Sequence, residues 1–321
     1  MRILIAGGFG FLGGRLASHL HQAGHKVVLG SRHAAAPPEW LPRAAIATTE
    51  WSDAAALVKA CARIDVIVHA AGMDAAACAA DPVAALECNG LGTARLVEAA
   101  RQAGVRRFIY LSTAHVYASP LAGTITEDAC PRNIHPYATS HLAGEFALAH
   151  AAGKGRMEGV ILRLSNGFGF PMDRSANCWT IVVNDLCRQA IERGDLELKS
   201  SGLQKRDFIP VSEICRAIGY LSECALAPAR TQIFNVGSGH SMSVLEMARH
   251  VQERCIAILG FQPELRTQAA SASEHHHDLS FRVEKLQKHG FQLSMDSMAE
   301  IDALLAFCKA SFNPSAPTID S

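Results

Sequence analysis

Seven residues near the amino end, Gly7-Gly8-Phe9-Gly10-Phe11-Leu12-Gly13, have the types and spacing to hold a phosphate. Glycine accepts positive φ and lets the backbone approach a ligand closely, and a helix starting inside such a turn offers unpaired N–H groups and its positive dipole end to an anion. The flanks supply the elements this chemistry needs. Ile3 to Ala6 reads as a short buried strand, Leu16 and Leu20 with nearby Ala17 and Ala23 give helical spacing, and Gly24-His25-Lys26 turns into a second strand, Val27-Val28-Leu29. A lone glycine pattern is weak evidence, but strand, glycine turn, helix and strand within one βαβ length read as a dinucleotide site. Gly7, Gly10, Phe11, Leu12 and Gly13 are its expected pyrophosphate-binding residues.

The residue closing the second strand decides which dinucleotide. An Asp or Glu there accepts hydrogen bonds from the ribose of NAD, whereas this chain has Gly30-Ser31-Arg32. With no carboxylate to repel a 2′-phosphate, the Ser31 hydroxyl and the Arg32 guanidinium favour NADP. NAD stays open if Arg32 is only a solvated cation. Further on, Asp65-Val66-Ile67-Val68 runs into His69-Ala70-Ala71-Gly72, whose small residues at a strand's carboxyl end let a cofactor lie against backbone; close strand-to-helix packing reads the same way. Glu50 ends the third strand, where it either accepts from the adenine amino group or faces solvent.

Strand and amphipathic helix continue to alternate, with a helix carrying Leu86, Leu91, Leu96 and Val97 before the strand Arg107-Phe108-Ile109-Tyr110-Leu111-Ser112. That alternation predicts an α/β fold, a doubly wound parallel sheet of the Rossmann type. The chain has 321 residues, 49% of them apolar, and thirty basic side chains balance thirty acidic ones. There is no basic block of the kind that binds nucleic acid or a membrane surface, so small ligands are the expected partners. No apolar run approaches the roughly 20 residues of a bilayer span. The ten cysteines lack any C-x-x-C pair and read as reduced thiols of a cytoplasmic protein; no metal site is expected, and His275-His276-His277 reads as a solvated loop.

Over nearly its full length the chain resembles the extended short-chain dehydrogenase/reductase family, in the branch of nucleotide-sugar epimerases and dehydratases. The resemblance rests on the Gly7, Gly10, Gly13 turn, His69-Ala70-Ala71-Gly72, Asn89-Gly90-Leu91-Gly92-Thr93, Ser112-Thr113-Ala114-His115-Val116-Tyr117, Tyr137-x-x-x-His141, Arg163-Leu164-Ser165-Asn166 and Arg206-Asp207-Phe208-Ile209-Pro210-Val211. It implies that Tyr137 removes a proton from a substrate hydroxyl while hydride leaves the same carbon for nicotinamide, with Thr113 bonding the same oxygen and Tyr117 as a wall. It places Asn166 on the substrate side of the nicotinamide and Arg206 against a substrate diphosphate; a surface pairing of Arg206 with Asp207 or Asp185 is the other reading. The segment before Asp278 lacks the second diphosphate-binding arginine many members carry, which leaves a different nucleotide sugar, or another substrate, open.

One departure bears on the chemistry. A phenol with pKa about 10 is a poor base at neutral pH and must be activated. In the family a lysine one helical turn on does this and bonds the nicotinamide ribose, and His141 occupies that place. An imidazole has shorter reach and, with pKa about 6.5, carries full charge only part of the time near neutrality. Three readings are open. His141 replaces lysine as a ribose-bonding, partly cationic partner; another cation or the nicotinamide's own charge activates Tyr137; or redox catalysis is lost and the fold survives as a catalytically silent dinucleotide-binding regulator or assembly subunit.

The dinucleotide-binding domain is expected over residues 1–169, completed by strands within about 206–237. Residues 170–205 and 238–312 then form a smaller, interleaved substrate part, with a helix from Trp179 to Arg193, and 313–321 a flexible tail. The resemblance further implies a homodimer joined through alanine-rich helices at about Pro82 to Ala103 and Tyr137 to Ala152.

Overall fold

The computed structural model describes residues 1–226, 231–270 and 277–312. The expected tail and two members of the histidine triplet, His275 and His276, lie outside the described residues. Five strands lead into the catalytic half: β1 (Arg2–Ala6), β2 (Lys26–Ser31), β3 (Ala45–Thr48), β4 (Val66–His69) and β5 (Arg107–Thr113). With Glu158–Leu164 and Gln232–Val236 they make a seven-stranded sheet whose pairings are all parallel, in the order Gln232–Val236, Glu158–Leu164, β5, β4, β1, β2, β3. Such strands are covered on both faces and therefore read as continuous apolar runs. All seven residues of β5 are buried, and Ile3 to Ala6 of β1 are wholly so.

Strand order reverses between β1 and β4, opening a crevice at the carboxyl edge where doubly wound sheets bind ligands. Register brings the predicted cofactor residues to that crevice. Ala6 pairs with Gly30 on one side and His69 on the other, so the glycine turn, Ser31 and Ala70-Ala71 emerge together. Helix α1 (Phe11–Gln22) packs Leu16, Ala17 and Leu20 onto one face of the sheet, and Leu57, Leu96 and Val97 cover the other.

The structure departs from two expectations. The segment holding Leu86 and Leu96 is not one α-helix; Pro82–Ala85 is α-helical, Leu86–Gly92 forms a π-helix, and Thr93–Ala103 resumes the α-helix. The wide turn leaves Leu86 and Leu91 exposed while Leu96 and Val97 stay buried, and it carries Asn89 inward to 1% exposure. Second, Lys205–Pro210 does not complete the large sheet. The edge beside Glu158–Leu164 is filled by Gln232–Val236, and Lys205–Pro210 instead centres a three-stranded sheet with Asn166–Phe168 and Ser241–Ser243. That small sheet abuts a separate apolar core built from helices Val182–Glu192, Val244–Leu259 and Ser297–Phe312.

Candidate active site

Gly7 has φ +84°, and a Cβ there would stand 2.7 Å from the Ala71 backbone nitrogen, so the turn and the end of β4 touch backbone to backbone. Gly10 caps α1 without a side chain, and no acidic residue lies in the first turn. The N–H groups of Phe11, Leu12 and Gly13 have no carbonyl one turn back to accept them, which suits a pyrophosphate. Ser31 Oγ accepts from His33 N at 3.3 Å, and Arg32 is exposed with no ion pair among the described residues. Glu50 lies just past the end of β3, where one carboxylate oxygen accepts from the Ser52 backbone and hydroxyl. Among the expected cofactor residues, His69 differs in its side chain. The ring is 1% exposed, packed against Trp51, Phe108 and Tyr110 with Nε2 2.9 Å from Thr93 Oγ1, and burial holds its pKa down at about 3. Only its backbone, at the end of β4, faces the crevice edge; the small Ala70 and Ala71 follow as expected.

The two hydroxyls of the predicted chemistry come from different elements. Thr113 ends β5, with Oγ1 accepting from His115 N at 3.1 Å. Tyr137 begins the helix Pro136–Gly153, whose start is fixed by Pro136 at the first position and by the His135 cap, Nδ1 accepting from Tyr137 N at 3.2 Å. Burial pushes the Tyr137 phenol up to about 12, and a hydrogen bond with Thr113 pulls the other way. Cys78 and Asp74 add to the rise, and no cation of the described protein is among the groups acting on it.

His141 lies one turn along the same helix with its ring centroid 4.6 Å from that of Tyr137, edge to face. It is 6% exposed, and burial lowers its pKa to about 4. Burial thus favours the neutral imidazole in the cofactor-free site. Its Nδ1 sits 2.9 Å from Tyr110 Oη. Tyr110, on β5 beside His69, was not evident from sequence, where it reads as one more aromatic core residue of a buried strand.

Asn166 and Arg206 are delivered by neighbouring strands. Asn166 Nδ2 donates to the Asp207 carbonyl at 3.0 Å, and Arg206 Nη2 donates to Gln204 Oε1 at 3.2 Å. Asp207 turns away from Arg206, its carboxylate accepting from Ser165 Oγ, Ser238 N and Ser238 Oγ, so the surface pairing of the two does not form. Arg206 instead bears on His115, two residues after Thr113, whose pKa is lowered by burial first, then by Arg206 and His135. His115 and His135 thus lie near Arg206, Thr113 and Tyr137. Their signal in the sequence was adjacency to Thr113 and Tyr137.

A glycine turn at a helix start and the Thr113 and Tyr137 side chains gather at the carboxyl edge of the parallel sheet, with Asn166 and Arg206 on the adjoining three-stranded sheet. The profile of the NAD-dependent epimerase/dehydratase family matches residues 3–237. The chain belongs to that family. As an NAD-dependent epimerase/dehydratase it is 28% identical over 274 residues to a UDP-glucose 4-epimerase of Neisseria meningitidis serogroup C, covering 77% of this chain and 80% of that one. It is 29% identical over 271 residues to the dTDP-6-deoxy-L-talose 4-dehydrogenase (NAD(P)(+)) of Kitasatospora kifunensis, covering 82% and 81%. Among solved structures, MoeE5 in complex with UDP-glucose and NAD superimposes with a TM-score of 0.79 at 25% identity, over 97% of this chain and 99% of the other. The fold and the enzyme class expected from the sequence are those of these epimerase/dehydratases, and among the described residues no helix is long and apolar enough to cross a membrane.

Proposed function

We propose that the protein oxidises a hydroxyl-bearing carbon of a nucleotide sugar with Tyr137 as the proton acceptor, as an epimerase, dehydratase or reductase of such sugars. The observation that carries this is the placing of Thr113 at the end of β5 and Tyr137 at the start of the helix Pro136–Gly153, beside a glycine turn open to a pyrophosphate. Gly7, Gly10 and the α1 amino end hold the dinucleotide, Ala70 and Ala71 back it, and Tyr137 and His141 meet its ribose. When bound, the oxidised nicotinamide supplies the hydride acceptor and a positive charge. Tyr137 takes the hydroxyl proton as the carbonyl forms, and Thr113 donates to the same oxygen. With burial raising Tyr137 and lowering His141, a cationic nicotinamide bound beside them would supply the positive charge that favours the phenolate.

Asn166 faces the sugar and Arg206, with its half-buried fork, meets the diphosphate; residues 170–205 and 238–312 contribute the specificity-determining walls. The relatives' UDP- and dTDP-sugars support that substrate class. Ser31 and the unpaired Arg32 support acceptance of NADP beside NAD, and ten free cysteines suit a reducing cytoplasm. Exposed Val83, Leu86, Leu91 and Phe146 on the helices flanking Asn89 and His141 support a homodimer through that face.

A thermal-shift panel of NAD, NADP and nucleotide sugars checks the reading, because a ligand selective for the folded state raises Tm by mass action. A rise with a dinucleotide and a further rise with one UDP- or dTDP-sugar is expected. No shift with any dinucleotide would sink it.

A further inference from the structure

The side chain replacing a permanent cation in the catalytic helix sits in a prepared setting. Tyr110 Oη lies 2.9 Å from His141 Nδ1. The phenol reaches that point because residue 144, three positions after His141 on the same helical face, is glycine; a Cβ there would stand 2.7 Å from Tyr110 Oη and 3.0 Å from the Asn89 carbonyl. Behind Tyr110, the His69 ring stacks at 5.5 Å, and Thr93 Oγ1 lies 2.9 Å from His69 Nε2 while donating to the Asn89 carbonyl at 2.6 Å. Thr93 has spent its one proton, so His69 is the donor in their contact and carries its hydrogen on Nε2.

The proton between Tyr110 and His141 can be placed by the same accounting. If Nδ1–H donated, the phenol would have to turn its own hydrogen elsewhere. A neutral imidazole nitrogen is the stronger acceptor, and no other partner of Tyr110 Oη meets hydrogen-bond geometry among the described residues. Nε2 has no protein hydrogen-bond partner there either and is not sealed from solvent, since it is absent from the buried unpaired atoms.

We propose that Tyr110 is a positioning residue: its hydroxyl donates to His141 Nδ1, locks the imidazole as the neutral Nε2–H tautomer, and aims that N–H at the cofactor. The aim at the cofactor rests on the function proposed above; the tautomer does not. A lysine in this place would offer both a charge and a donor. Tyr110 and Gly144 let histidine keep the donor without the charge. The titratable groups facing His141 agree: Tyr137 on its own helix and Tyr110 and His69 on the neighbouring strands are all neutral, and Glu145 beyond Tyr110 is tied to Arg163 at 2.7 Å. Protonating His141 would put a hydrogen on Nδ1 and turn Tyr110 Oη from donor to acceptor, its own hydrogen left without a partner.

The test is nitrogen-15 NMR of histidine-labelled full-length protein, with the His141 signals assigned by their loss in His141→Gln. In the free protein at neutral pH the proposal expects the Nε2–H tautomer, unchanged between about pH 6 and 9. In Tyr110→Phe it expects a mixture of both neutral tautomers, or Nδ1–H, together with NAD binding weakened about tenfold. An Nδ1–H tautomer or an imidazolium in the unmutated protein would overturn it, as would a Tyr110→Phe protein with the tautomer unchanged. The first of these readings needs no variant, so a folding failure does not blunt it. Should NAD perturb no site-residue resonance in the unmutated protein, the functional reading fails while the tautomer is still read.

Discussion

At the scale of single residues, the site turns on where a positive charge comes from. Tyr137 is raised to about 12 by burial, and His141 is lowered to about 4, so across pH 6 to 9 the cofactor-free site holds a phenol beside a neutral imidazole. The rate of substrate oxidation should rise with pH through this range as the phenolate fraction grows, without an inflection from His141. His141→Lys adds a permanent ammonium beside the phenol, which favours its deprotonation and should move the pH–rate profile to lower pH. Stopped-flow cofactor reduction from pH 6 to 9 measures the shift, and superimposable profiles would mean residue 141 does not bear on Tyr137. The motif residues Gly7, Thr113 and Tyr137 were legible because each is recognised by type and local spacing. Tyr110 was not, since its hydrogen bond joins a strand to a helix 31 positions away, and nothing in a run of apolar and aromatic residues says which ring will meet a polar partner. His69 stands at the strand end where the sequence put it, but its type did not show that the ring would turn into the protein.

At the scale of elements, the proposed function gives the glycine turn and α1 the pyrophosphate and the end of β2 the choice of dinucleotide. Arg32 is exposed and unpaired among the described residues, so a 2′-phosphate can be met without breaking an existing ion pair. Arg32→Ala should weaken NADP by about tenfold, the loss of one charge-assisted contact worth about 1.5 kcal/mol, and leave NAD within twofold. Fluorescence titration with both dinucleotides decides it; equal loss for the two would show that Arg32 does not read the phosphate. The π-helix was only half legible. Leu86, Leu91 and Leu96 recur at intervals of five, a spacing that suits a widened turn, yet an α-helix absorbs such apolar positions as easily on paper. Phe208 to Val211 likewise read as a strand without its partners being legible, and it joins the small sheet, whereas the other expected strand, Gln232–Val236, does complete the large one.

At the scale of the whole molecule, the parallel sheet gathers Gly7, Ala70 and Thr113 at its carboxyl edge, the small sheet carrying Asn166 and Arg206 adjoins it, and the face bearing the helix Pro136–Gly153 is left partly apolar. Phe146 is 69% exposed and Val83 67%, next to the exposed Leu86 and Leu91 of the π-helical turn. Their burial against a second copy is expected to stabilise a dimer, and Phe146→Glu should shift the protein toward monomer by placing a charge in that contact. Sedimentation velocity reads the change; a protein monomeric from the outset, or a variant that stays dimeric, would remove this face from the account. The doubly wound fold itself was plain from alternating strands and helices, because parallel strands are apolar throughout and helices keep their own period.

The account stands on Tyr137 as the group that takes the substrate's proton. A single-turnover experiment, following reduced-nicotinamide absorbance after mixing NAD-loaded protein with the nucleotide sugar that the thermal-shift panel selects, measures this step directly. Tyr137→Phe should retain dinucleotide binding and slow cofactor reduction by about 10²- to 10⁴-fold. Reduction at the unmutated rate would contradict the account.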